Sequence, residues 1–185
     1  MEKNILDVWA SASTAQRLAG AQWYPKASQT VRALAWAHER SVAQVAGAVS
    51  ALSPSNRWEN NLTDAAMLLQ GQRHGFRTYS AQVLKAVECM AAPSIDAALN
   101  ILGGPKTRAF AKLLYDPSCD EVVVDGHAWS IALGWRLPLS ACKVSPAAYR
   151  RTARAYRTAA EHLGELPSVV QATTWVVWRD RHGIT

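Results

Sequence analysis

An all-α fold is what this sequence predicts, on two observations. Apolar residues make up 49% of the chain, and alanine rather than valine or isoleucine leads among them. That mixture favours packed helices over sheet. The apolar positions also recur at helical spacing, between serine, proline and glycine signals that start and stop helices. A length of 185 residues suits a single helical domain spanning 1–185, or one compact two-lobed domain, with a sizeable core.

The elements follow in chain order. Val31, Leu34, Ala35, His38, Val42, Val45, Ala46 and Val49 recur at helical spacing. Ser41 with Gln44 has the form of a capping box, so this stretch divides into two helices meeting near Arg40. Pro54 interrupts the next segment, and a helix restarts near Trp58 and continues to about Gln70. Gly71 and Gly75 bracket a loop. Another helix is expected from Ser80 to Met90, and Pro93-Ser94 introduces a short one reaching Leu102.

Pro105 suits the first turn of a helix running to Tyr115, just after Gly103-Gly104. Val122, Val123 and Val124 have the β-branched character of a strand but no partner strand, and read as an extended lead-in to a helix after Asp125. Ser145-Pro146 starts a helix whose apolar stripe is Tyr149, Ala153, Tyr156, Ala160 and Leu163. Pro167-Ser168 starts the last helix. Trp23, Trp36, Trp175 and Trp178 stand in helical patterns and are expected in the core.

Composition narrows the function classes. No apolar run approaches the ~20 residues that span a bilayer. The first residues, MEKNILDVWASAS, lack the basic-then-apolar order of a signal peptide, so a cytoplasmic protein without a membrane partner is expected. Cys89, Cys119 and Cys142 are too scattered for a disulfide framework or a clustered metal site. Neither a metal nor a cofactor is expected, and the isolated chain is expected to be a monomer. The net charge of +6 suits a polyanionic partner. Arg150, Arg151, Arg154 and Arg157 fall together on one face with few acidic residues around them, as DNA-backbone contacts would require.

The chemistry concentrates in ILGGPKTRAFAKLLYDPSCDEVVVDGHAW, residues 101–129. A glycine-bearing turn before a helix presents backbone N–H groups to a phosphate. Lys106 lies at the start of that helix, where the positive end of the dipole disfavours protonation of an amine and so favours a nucleophile. Asp125 is expected to cap the following helix. A carboxylate held in that way can stabilise a developing oxocarbenium ion or activate water.

These residues resemble the helix-hairpin-helix base-excision DNA glycosylase superfamily. GPKT is similar to the family's Gly-x-Lys-Thr hairpin exit, and VVVDGHAW to its Val-Asp-x-His segment. The resemblance implies a hairpin over about 94–116, with Gly103, Gly104 and Thr107 on the DNA backbone. It further implies Lys106 as a Schiff-base lysine and Asp125 as the catalytic carboxylate. AVSALSPSNRWENNLTDA resembles the family's early helix pair, which implies that Ser55 and Asn56 face the DNA beside an extruded base. Trp58, Trp129 and His127 are then candidates for the base pocket.

The chain also resembles small phage-type members with a Leu-Ser-Pro…Trp…Asn segment, for which the host cytoplasm is the implied location. Departures stand beside the likeness. Leu102 replaces the first hairpin glycine, Pro105 has no N–H to donate, and the family's four-cysteine iron–sulfur loop is absent.

Three functions remain open at this level. The first is a DNA glycosylase, with an AP-lyase step if Lys106 forms an imine. The second is a phage base-modification enzyme on the same scaffold, and the third a non-catalytic DNA-binding protein. Each residue also has a plain structural role: Asp125 as a cap only, Lys106 as a solvated first-turn lysine, His127 as a side chain satisfied within the fold, and the arginines as a solvated face.

Overall fold

The computed structural model describes residues 1–138 and 142–184. Among the described residues there are ten α-helices and no strand. The helices are α1 Glu2–Ala10, α2 Thr14–Ala37, α3 Val42–Leu52, α4 Trp58–Leu69, α5 Ser80–Cys89, α6 Ile95–Ile101, α7 Pro105–Tyr115, α8 Gly126–Leu133, α9 Pro146–Leu163 and α10 Pro167–Arg181. The chain forms two compact units, Met1–Lys26 with Ser118–Thr185, and Ala27–Pro117. The boundary between them falls inside α2, one residue after Pro25.

The first unit packs α1, α8, α9 and α10 around Ile5, Val8, Trp9, Ile131, Tyr156, Val177 and Trp178. Small residues set the closest approaches. A Cβ on Gly20 of α2 would lie 2.5 Å from the Thr173 Cα of α10, so only glycine fits there. Gly134 ends α8 in the left-handed region at φ 87°, against the Asn4 amide, which donates to Ala132 O at 2.9 Å. Trp23 and Trp175 stand half-buried edge to face, with ring centres 6.2 Å apart.

The second unit is built on α3. Its sequence VAQVAGAVSAL is apolar nearly all round, and α4, α5, α6 and α7 all pack against it. The capping box closes α3 at Ser41 and Gln44, each side chain meeting the other's backbone N–H. Gly47 lets Ala98 of α6 and Cys89 of α5 come close. Ser50 Oγ donates to Thr107 O at 2.5 Å, fixing the first turn of α7 to the central helix.

The core expectation for the four tryptophans holds fully for Trp178 alone: Trp23 and Trp175 are half-buried, and Trp36 fails it. Trp36 is 86% exposed. At that end of α2 the buried positions are Val31 and Ala35, and Trp36 follows Ala35 by about 100° of helical rotation, which turns it to solvent. Trp178 is buried as expected.

Candidate functional site

The turn between α6 and α7, where the resemblance places its hairpin, lies in the second unit. Ser94 caps α6 by accepting from Ala97 N, and α6 ends at Leu102, whose buried side chain anchors the turn. Gly104 is the N-cap of α7, extended at φ −131° and ψ 154°, and Pro105 opens the helix. Thr107 Oγ donates back to Gly104 O at 3.0 Å, and Arg108 Nε to Leu102 O at 2.9 Å. Among the described residues, the N–H groups of Gly103, Gly104, Lys106 and Thr107 have no acceptor.

Lys106 is half-buried, and its amine has no hydrogen-bond or ion-pair partner among the described residues. A second lysine stands at the turn, one that the sequence pattern did not single out. A Cβ on Gly103 would lie 2.5 Å from Lys85 Nζ of α5. Open amides, a helix N-terminus and two ammonium groups together make a surface that favours an anion.

Asp125 lies in the first unit as the N-cap of α8, and its Oδ1 accepts from Ala128 N at 2.7 Å. Its other oxygen has no partner among the described residues, and the residue is half-exposed. The three valines before it are buried and belong to no helix or strand. Tyr149 of α9 takes the strand's place: its hydroxyl donates to Val122 O at 2.7 Å and accepts from Val124 N at 3.4 Å. The sequence pattern places Tyr149 only in an apolar stripe.

Two more buried tyrosines surround this corner. Tyr156 OH donates to Ala128 O at 3.4 Å, and Tyr24 OH to Gln171 Oε1 at 2.8 Å. Burial pushes the Tyr149 hydroxyl up to about 12, opposed by its hydrogen bond with Val124. Tyr24 and Tyr156 are raised as well, chiefly by burial, with the Asp125 carboxylate adding to the rise.

The remaining candidates fall as follows. His127 and Trp129 follow Asp125 on α8, and both are half-buried. Trp129 packs on the core of its unit. His182, edge to face with Trp178, is held below the usual histidine range by burial and by the nearby Arg136, Arg181 and His127. Arg150 and Arg154 are exposed on α9 and unpaired among the described residues, as is Arg151. Arg157 differs. Its guanidinium binds both carboxylate oxygens of Asp120 at 3.1 Å, donates to Asp120 O, and lies 3.5 Å from Glu121. Among the described residues, the unpaired arginines of α9 are therefore Arg150, Arg151 and Arg154.

In the second unit, Trp58 opens α4 edge to face with Phe110, with ring centres 6.2 Å apart. Ser55 stands in the left-handed region at φ 57°, and Asn56 donates to Leu52 O and to Asp64. Among the described residues, no group of three or more His, Cys, Asp or Glu side chains is placed to hold a metal ion, and no helix is long and apolar enough to cross a membrane.

The chain belongs to a family of unknown function, DUF7178, whose model matches residues 1–182. Comparison with curated proteins and with solved structures gave no match.

Proposed function

We propose that the protein is a DNA glycosylase-like enzyme acting at the N-glycosidic bond of an extruded base. The observation that carries the reading is Asp125: one carboxylate oxygen is fixed by the α8 backbone and the other is left open. A carboxylate so held opposes positive charge developing on the sugar as the bond to the base breaks, without having to reorganise during the reaction. The hairpin and the Arg150–Arg154 face hold the phosphate backbone in this reading. Water adds at C1′ as the base departs with a proton, which gives the abasic aldehyde; the Lys106 amine then attacks C1′ of that aldehyde, water leaves, and the imine permits strand cleavage by β-elimination.

Borohydride trapping on a duplex with a single abasic site tests the lyase part without knowing the base. Reduction of the imine leaves a secondary amine joining protein to DNA. Wild type is expected to be trapped and Lys106→Gln is not. Equal trapping of both proteins would remove Lys106 from the mechanism. No trapping of either would leave hydrolysis assisted by Asp125 alone.

A further inference from the structure

Asp64 is a fully buried carboxylate beneath the turn that follows α3. It accepts from Asn56 Nδ2 at 2.9 Å, from the Arg77 backbone N–H at 2.9 Å, and from the Arg77 guanidinium at 3.1 Å. Two further bonds join the same segments: Thr78 Oγ donates to Pro54 O at 2.9 Å, and the Ser55 and Tyr79 hydroxyls meet at 3.2 Å. Ser55 holds a left-handed backbone, φ 57°, that a non-glycine residue rarely adopts. A network this redundant keeps a strained turn in one shape. What it presents outward is Tyr79, which is 63% exposed.

We infer that Tyr79 is a stacking platform for an unstacked nucleobase, and that Ser55, Asn56 and Asp64 are positioning residues that hold it. This rests on the DNA-binding part of the reading above. The Ser55 hydroxyl and the Asn56 amide already bond within the protein, so they act through the ring. Arg57, two residues from Ser55, is exposed, and Arg77, two residues from Tyr79, keeps half of its side chain in solvent; Glu59 is the exposed acid nearby in sequence. An exposed aromatic ring with an exposed arginine, Arg57, two residues from its hydroxyl partner Ser55 suits a base on its phosphate backbone.

The same helix ties this platform to the hairpin. Tyr79 caps α5, and Lys85, six residues on, reaches Gly103. Six helical residues span about 9 Å along the axis. That is roughly two to three nucleotides at ~3.4 Å each along one strand. A strand whose phosphate sits at the hairpin therefore brings a base two or three positions away onto Tyr79.

The test compares two gapped duplexes, each interrupted by three single-stranded positions, carrying in the gap either thymines or tetrahydrofuran abasic analogues, which have no aldehyde for Lys106 to attack. Wild type is expected to bind the thymine gap about tenfold more tightly, as one base–aromatic stack provides. Tyr79→Ala should bring that ratio close to one without changing the salt dependence, and Tyr79→Phe should keep most of it. Ser55→Gly relieves the backbone strain and removes the hydroxyl. It is expected to lower the ratio with no loss of melting temperature, a combination that a purely structural role would not produce. An unchanged ratio in Tyr79→Ala overturns the platform and leaves DNA binding intact, pointing the ring towards a protein partner. Failure of wild type to bind either duplex overturns the DNA reading itself.

Discussion

Replacing Tyr149 by Phe isolates the one side chain that stands in for a missing strand. The ring keeps its slot in the core, and only the hydroxyl is lost. Val122 O then loses its 2.7 Å donor and Val124 N its 3.4 Å acceptor, in a segment whose three valines are buried. A buried polar group left unpaired costs about 1–3 kcal/mol, and the shorter bond carries most of that cost. For a chain of this size, melting temperature falls by roughly 2–4 °C per kcal/mol, so a loss of roughly 2–12 °C is expected. Thermal unfolding followed by circular dichroism measures it. Because Asp125 follows directly on Val124, the variant should also release base more slowly at temperatures where it is fully folded. A melting temperature within about 1 °C of wild type would show that other groups satisfy the 122–124 backbone, and the account of what holds Asp125 would be wrong.

Three further outcomes are expected. Tyr149 holds its proton to about 12 in the folded chain against an ordinary value of 10.0, and Tyr24 and Tyr156 are raised as well. Between these values the unfolded chain has lost protons that the folded chain keeps, so stability is full below pH 10 and falls as pH rises towards 12; a melting temperature constant across that window would contradict the burial of the three hydroxyls. Replacing Arg150 and Arg154 together with Gln should reduce the slope of log affinity for DNA against log salt by roughly two, whereas Arg157→Gln, which removes a cation already paired with Asp120, should change it less. Gly103→Ala should cost little stability, since the Cβ meets only the flexible end of Lys85, yet weaken duplex binding in filter or anisotropy assays by displacing that amine from the hairpin.

Helix ends were legible where a side chain meets its own local backbone. The Ser41–Gln44 box, Ser94, Asp125 and Ser145 each mark a boundary that the structure keeps, because a cap depends on residues three positions apart, and Pro105 marks another through its fixed φ at the first helical position. Before Val31 the sequence places only Trp23 in a helical pattern and marks no helix boundary. There α2 carries Pro25 in its interior and mixes polar with apolar residues around its axis, which hides its period. Trp36 was misplaced because helical spacing identifies a helix without saying which residue ends on the buried side. The extended reading of Val122–Val124 came from the lack of a partner strand; the hydroxyl that takes its place lies 27 residues from Val122. The pairing of Arg157 with Asp120 spans 37 residues, and the Ser55–Tyr79 contact spans 24. No local pattern encodes contacts at such separations, so the candidate residues could be named from sequence while their partners could not.

The account stands on whether the Asp125 carboxylate does chemistry or only caps α8, and Asp125→Asn separates the two. Asparagine caps a helix about as well as aspartate, so melting temperature and DNA affinity should stay close to wild type. The negative charge is gone, and free base released from genomic DNA, measured by mass spectrometry on the same preparations, should fall by orders of magnitude. Base release by wild type that disappears in Asp125→Asn at unchanged stability is the predicted result. Equal release by the two proteins, or none by wild type from any DNA offered, would contradict the proposed role and leave Asp125 as a helix cap.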